Sequence, residues 1–127
     1  MIINTPISLG EIMDKISILR IKKKYIRDEK KLNYINEELD LLQETLIGSV
    51  NDEKMKEYFD QLIKINSELW VIEDEIRDCE RNKKFDQKFI DLARSVYFTN
   101  DKRSQIKLDI NNHYGSKIIE VKSYEKY

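Results

Sequence analysis

The amino-acid sequence predicts an all-α fold: an antiparallel helical bundle of two long helical hairpins with short extended N- and C-terminal segments. Three observations carry this reading. Apolar residues recur in alternating steps of three and four along most of the chain, the spacing of one helical face. Gly and Pro occupy only four positions, none of them between Gly48 and Gly115, so little in that half interrupts a helix. Ser, Asp and Gly stand where helix caps belong. At 127 residues the chain fits one domain, residues 1–127, long enough to bury roughly two thirds of its unfolded surface in a single core.

The first helix is expected over residues 9–26. Pro6 and Gly10 flank its start, Ser8 and Glu11 form an S-x-x-E capping box, and Ile12, Ile16 and Leu19 share a face. Asp28 suits the cap of a second helix near 29–46, whose Leu32, Ile35, Leu39, Leu42 and Leu46 follow the a/d seam of a helix pair. That seam also traces back through Tyr25, Ile21 and Ile18, so one bent helix across 26–29 is the alternative. Gly48 marks a turn. The third helix, about 52–82, carries Tyr58, Leu62, Ile65, Leu69, Ile72, Ile76 and Cys79 in the same rhythm, about 45 Å of helix at 1.5 Å per residue. The polar run "RNKKFD" ends it, Asp86 caps the last helix over 87–114, and Gly115 closes that helix. The β-branched ends, "MIINT" and "SKIIEVKSY", either pair as a two-stranded ribbon or lie along the bundle.

Composition narrows the function. Lys and Arg number 23 against 24 Asp and Glu, a balance that gives no general attraction to nucleic acid or anionic membrane. The basic stripe Arg20, Lys23, Lys24, Arg27 and Lys31 lacks the interleaved aromatics that stack bases, and reads as a solvated face. No stretch approaches the ~20 apolar residues of a membrane span, and the start lacks a basic region followed by an apolar run. A single cysteine, Cys79, on a core stripe, suits a cytoplasmic protein. One His and one Cys make no N/S metal cluster. Neither a Ser-His-Asp arrangement nor a glycine-rich phosphate loop is found, and no cofactor is expected.

One stretch departs from the pattern. In "LARSVYFTNDKRSQIKLDIN" the face set by Ala93, Val96 and Tyr97 continues into Asn100, Ser104, Lys107 and Asn111, where a packed helix would place Leu or Ile. Asn100, Arg103 and Lys107 share a face, with Tyr97 and Arg94 one turn back and Asp101 beside them. In helix three Trp70, Glu73 or Asp74, and Arg77 form a similar stripe beside the seam. Asn and Ser disfavour the helix, and a buried Arg or Lys costs several kcal/mol unless paired. The expectation is a cavity faced by Asn100, Arg103 and Lys107 and closed by helix three and by Lys15 or Asp14 of helix one.

The motifs "PISLGEIMDKISILRIK", "LWVIEDEIR", "LARSVYFTNDKR" and "EVKSY" resemble a family of small bacterial proteins classed only as a domain of unknown function, from Pro6 to Tyr124. The family pattern often has Asp-Pro where this chain reads Asp28-Glu29, which implies a helix start there. The resemblance implies no catalytic residue. Its shared motifs fall on Glu11, Asp14, Lys15, Trp70, Asp74, Arg77, Arg94, Tyr97, Asn100, Asp101, Arg103 and Lys107, largely the polar positions reached above.

These residues lead to an expected function. It is a non-enzymatic binding protein that holds a small anionic ligand, a nucleotide or sugar phosphate, in a polar pocket between helices. Arg94, Arg103 and Lys107 supply charge, Tyr97 and Trp70 aromatic faces, and Asn100 and Asp101 directional hydrogen bonds. Lys15, Asp74 and Arg77 complete the set. A homo-oligomeric scaffold, dimer or higher, is the alternative, because Phe59, Ile63 and Trp70 widen the apolar face of helix three beyond its seam. A further alternative is an Mg²⁺-dependent hydrolase resembling the all-helical nucleotide pyrophosphatases. There Glu73, Asp74, Glu75, Asp78 and Glu80 would face Asp101 and Asp109.

Overall fold

Each helix begins where a short polar side chain can take up a free backbone N–H. The computed structural model describes all residues, Met1–Tyr127, and has four helices and no strand: α1 (Leu9–Tyr25), α2 (Glu29–Ile47), α3 (Glu53–Arg81) and α4 (Gln87–Tyr114). Ser8, Asp28, Asp52 and Asp86 accept from the N–H three residues on, at 3.2, 2.9, 3.1 and 3.4 Å. Ile26 leaves α1 in an extended conformation and Asp28 caps α2, so the chain breaks here rather than bending as one helix. Gly115 ends α4 in the left-handed region, at φ 65°.

α1 is the middle of the molecule. It pairs with α2 as one antiparallel hairpin, lies against both α3 and α4, and the second hairpin joins α3 to α4. This explains why α1 buries more than the face of Ile12, Ile16 and Leu19. Met13, Asp14, Ser17 and Ile21 are buried too, as a helix enclosed by three neighbours requires. The core joins Ile12, Met13, Ile16 and Leu19 of α1 to Ile35, Leu39 and Leu46 of α2, Met55, Tyr58, Phe59 and Leu62 of α3, and Ile110 of α4. Phe59 and Trp70, which widen the apolar face of α3, have intramolecular covers: Arg20 lies over the Phe59 ring at 4.4 Å and Tyr25 stacks on Trp70 at 5.5 Å.

Burial thins toward the far end of the second hairpin. Beyond Asn66 the only buried residue of α3 is Cys79, and before Lys107 the only one of α4 is Thr99. Val71, Phe85, Ile90, Tyr97 and Phe98 are exposed there.

No terminal ribbon forms within the chain. The C-terminal segment instead lies along α4, where Glu120 meets Lys107 at 3.0 Å and the Tyr127 ring packs on Tyr97 and Phe98 at 5.5 and 5.0 Å. Two strands alone are marginal, whereas α4 offers a charge-assisted bond and aromatic surface. No helix is long and apolar enough to cross a membrane.

Candidate functional site

The polar stripe of α4 faces a polar stripe of α1. Gly10, Glu11 and Asp14 of α1 meet Asn111, Lys107 and Arg103 of α4, the last three at steps of four. At the near end Gly10 N–H donates to Asn111 Oδ1 at 2.7 Å. A side chain at Gly10 would put its Cβ 2.5 Å from the Lys107 carbonyl oxygen, so the two backbones come this close only because the residue is glycine. One turn on, Lys107 Nζ reaches Glu11 at 2.6 Å and Glu120 at 3.0 Å. Glu11 therefore spends its carboxylate on α4 rather than closing the capping box, of which only the Ser8 half forms.

The next layer is centred on Asp14, whose side chain has no exposed surface. Arg103 grips it in a two-pronged pair, Nε to Oδ1 at 3.0 Å and Nη2 to Oδ2. Asn66 of α3 donates through Nδ2 to Asp14 Oδ1 and to Ser17 Oγ, both at 2.8 Å, and Ser17 Oγ donates to the Asp14 carbonyl at 2.7 Å. Three helices thus meet on one carboxylate. The one buried side-chain polar atom without a partner, Asn36 Oδ1, lies elsewhere, on α2. The hydrogen bonds to Asp14 hold the Arg103 pKa above its ordinary value. For Lys107 burial opposes the charge, but the bonds to Glu11 and Glu120 outweigh it and the pKa again ends raised. Glu120, bonded by Lys122 and Lys107, is lowered to about 2.

Beside this network runs a groove of about 490 Å³ between α1, α3 and α4, within the size range of small-molecule sites. Ile18, Ile21 and Leu69 form its apolar wall, and Trp70, Glu73, Asp74, Arg77, Asn100 and Arg103 its polar and aromatic surface. Arg77 pairs with Glu73 one turn back, while Asp74 has no ion-pair partner. Arg103 keeps 27% of its side chain exposed. Its Nη1, the terminus not held by Asp14, lies 3.5 Å from Asn100 Oδ1.

Of the residues the sequence singles out, the groove gathers Trp70, Asp74, Arg77, Asn100 and Arg103. Lys107 and Asp101 fall in a neighbouring cleft with Asn100, Arg103 and Glu120. Arg94 and Tyr97 are exposed and belong to an aromatic cluster with Phe98 and Tyr127, where Arg94 sits 5.8 Å from the Phe98 ring centre. Lys15 is exposed and makes no ion pair. The acidic residues of α3 do not gather with Asp101 or Asp109, and nowhere do three His, Cys, Asp or Glu side chains come within reach of one metal ion. Sequence reasoning missed Ser17, Asn66 and Glu120 as partners. Asn66 gave a signal, an amide one step past Ile65 of the apolar seam.

The chain belongs to the Family of unknown function (DUF6165), which it matches over residues 3–127, nearly its whole length. No curated protein and no solved structure matches it.

Proposed function

We propose that the protein is a non-enzymatic binding protein that holds a small anionic ligand, a nucleotide or sugar phosphate, in the groove between α1, α3 and α4. The observation that carries this is the setting of Arg103. A fully buried carboxylate fixes one edge of its guanidinium, and the other edge borders the groove beside Asn100. A charged donor oriented from behind binds with little loss of side-chain freedom. Arg77 also lines the groove and offers a second guanidinium for phosphate oxygens.

The groove is not a simple positive hole. Asp14 and Glu73 neutralise the two arginines in the free protein, and Asp74 adds an unpaired negative charge. Bare phosphate therefore gains less than a ligand whose hydroxyl or amino groups donate to Asp74 while a planar or apolar body lies on Trp70. Thermal melting with inorganic phosphate, nucleotides and sugar phosphates tests the reading. A nucleotide or sugar phosphate should raise Tm clearly, with a stabilisation of about 2.7 kcal/mol at a hundred times its Kd. Phosphate alone should do little. Arg103→Lys, which keeps charge but loses the fork, should remove the shift. A panel without any shift, or an R103K variant that binds as well, would sink the proposal.

A second reading, a self-associating scaffold that forms a dimer or higher, has its own support. The charged heads on the buried stripe are paired within the chain, as a register-fixing network requires. Apolar side chains remain exposed on the outer hairpin and at both ends. Concentration-dependent mass by light scattering tests it. The buried unpaired Cys79 accords with a reducing compartment, and the cytoplasm is the setting proposed for either role.

A further inference from the structure

From Lys117 to Tyr127 no backbone N–H has a partner, and the one bonded carbonyl is that of Ile118, which accepts Ser116 Oγ at 2.9 Å. This stretch nevertheless has the composition of a strand, with Ile118 and Ile119 each 44% exposed and Val121 86%. Its backbone edge is open, and open edges pair with other chains.

The order of charges says which chain. Laid antiparallel against a copy of itself about Val121, the segment sets Lys117 opposite Glu125 and Glu120 opposite Lys122. Two-fold symmetry makes each of those pairs twice. Ile118 then faces Tyr124, Ile119 faces Ser123, and Val121 faces itself. Moving the centre by one residue places Glu120 opposite Glu120, or Lys122 opposite Lys122, and cross-strand like charges are destabilising. One register is thus favoured on both charge and apolar pairing.

We propose that residues Lys117–Glu125 form an antiparallel two-stranded ribbon with the same segment of a second copy. The inference rests on the self-association reading and assigns it a surface. An isolated ribbon is marginal, but here each strand is anchored on its own α4. Glu120 keeps one oxygen on Lys107 and passes the other from its own Lys122 to the partner copy's lysine, while Tyr127 stays on Tyr97 and Phe98. A space of about 670 Å³ between the segment and α4, bordered by Leu108 and Tyr124, gives the paired side chains room to settle.

Lys117 and Glu125 make no ion pair within the chain, so reversing them leaves the intramolecular ion pairs untouched. Light scattering should report a dimer for the parent. Lys117→Glu or Glu125→Lys alone should weaken it about tenfold, since each change turns two attractions into repulsions. The double reversal K117E/E125K should restore it. In a Cys79→Ala background, Val121→Cys should cross-link to its own copy under mild oxidation far faster than Ser123→Cys, which faces Ile119. A dimer indifferent to K117E, with V121C no faster than S123C, would overturn this surface and leave self-association standing. A monomer at every concentration would remove both.

Discussion

Asp14 is the residue on which the molecule turns. Its carboxylate is fully buried and takes three hydrogen bonds from two side chains on two other helices. Removing one partner of such a pair costs more than the pair itself is worth, because the other charge is left without compensation. Asp14→Ala should therefore destabilise the protein by about 3 kcal/mol, near the low end for a buried pair because Arg103 keeps some contact with water. Replacing the whole layer, with D14L, N66L and R103M together, should recover most of that loss, since apolar substitutes for buried ions are often neutral or better. Urea melts of the two variants decide the matter. A D14A protein as stable as the parent would mean that the layer contributes nothing to the fold. If the triple variant folds but no longer responds to a nucleotide or sugar phosphate that stabilises the parent, the layer serves binding rather than stability.

Between elements, α1 approaches α4 closely at Gly10. On helix propensity alone Gly10→Ala should stabilise α1, though by less than the ~1 kcal/mol of a helix interior because Gly10 is its second residue. The added methyl would instead meet the Lys107 carbonyl at 2.5 Å and Asn111 Oδ1 at 3.0 Å, both held in place by α4. Overpacking of this kind typically costs about 1–3 kcal/mol, so the net effect should be destabilising, and a G10A protein with a raised Tm would show that the helices can part freely. The same contact marks where the sequence stops being legible. Helix positions were readable because caps and apolar spacing are local, and Ser8, Asp28 and Asp86 sit where that logic puts them. Asn100, Arg103 and Lys107 were readable as misplaced polar residues on an apolar face. Their partners were not all readable, because Asn66, Ser17 and Glu120 lie on segments whose facing depends on tertiary packing. The width of α3's apolar face suggested an external partner, and no local signal said that Arg20 and Tyr25 would cover Phe59 and Trp70.

Across the whole molecule, stability should be uneven. α1 is enclosed by three helices, whereas the far half of the α3–α4 hairpin has a half-buried seam and exposed apolar side chains. Native-state hydrogen exchange should show the amides of α1 opening only with global unfolding. Those of residues 71–81 and 87–98 should exchange through smaller, cheaper openings. Equal protection throughout would mean that something, such as a second copy, covers the outer hairpin. The enclosed position of α1 also bears on how the chain is made. Gly10, Glu11 and Asp14 leave the ribosome well before their partners Asn111, Lys107 and Arg103. Arg103 follows Asp14 by 89 positions, an interval on the order of 5–20 s at ordinary elongation rates. Throughout that time the α1–α2 hairpin has no buried home for its carboxylate. α1 is therefore synthesised before α4 but locked only after it, and until α4 arrives the nascent chain stays open to chaperones and proteases.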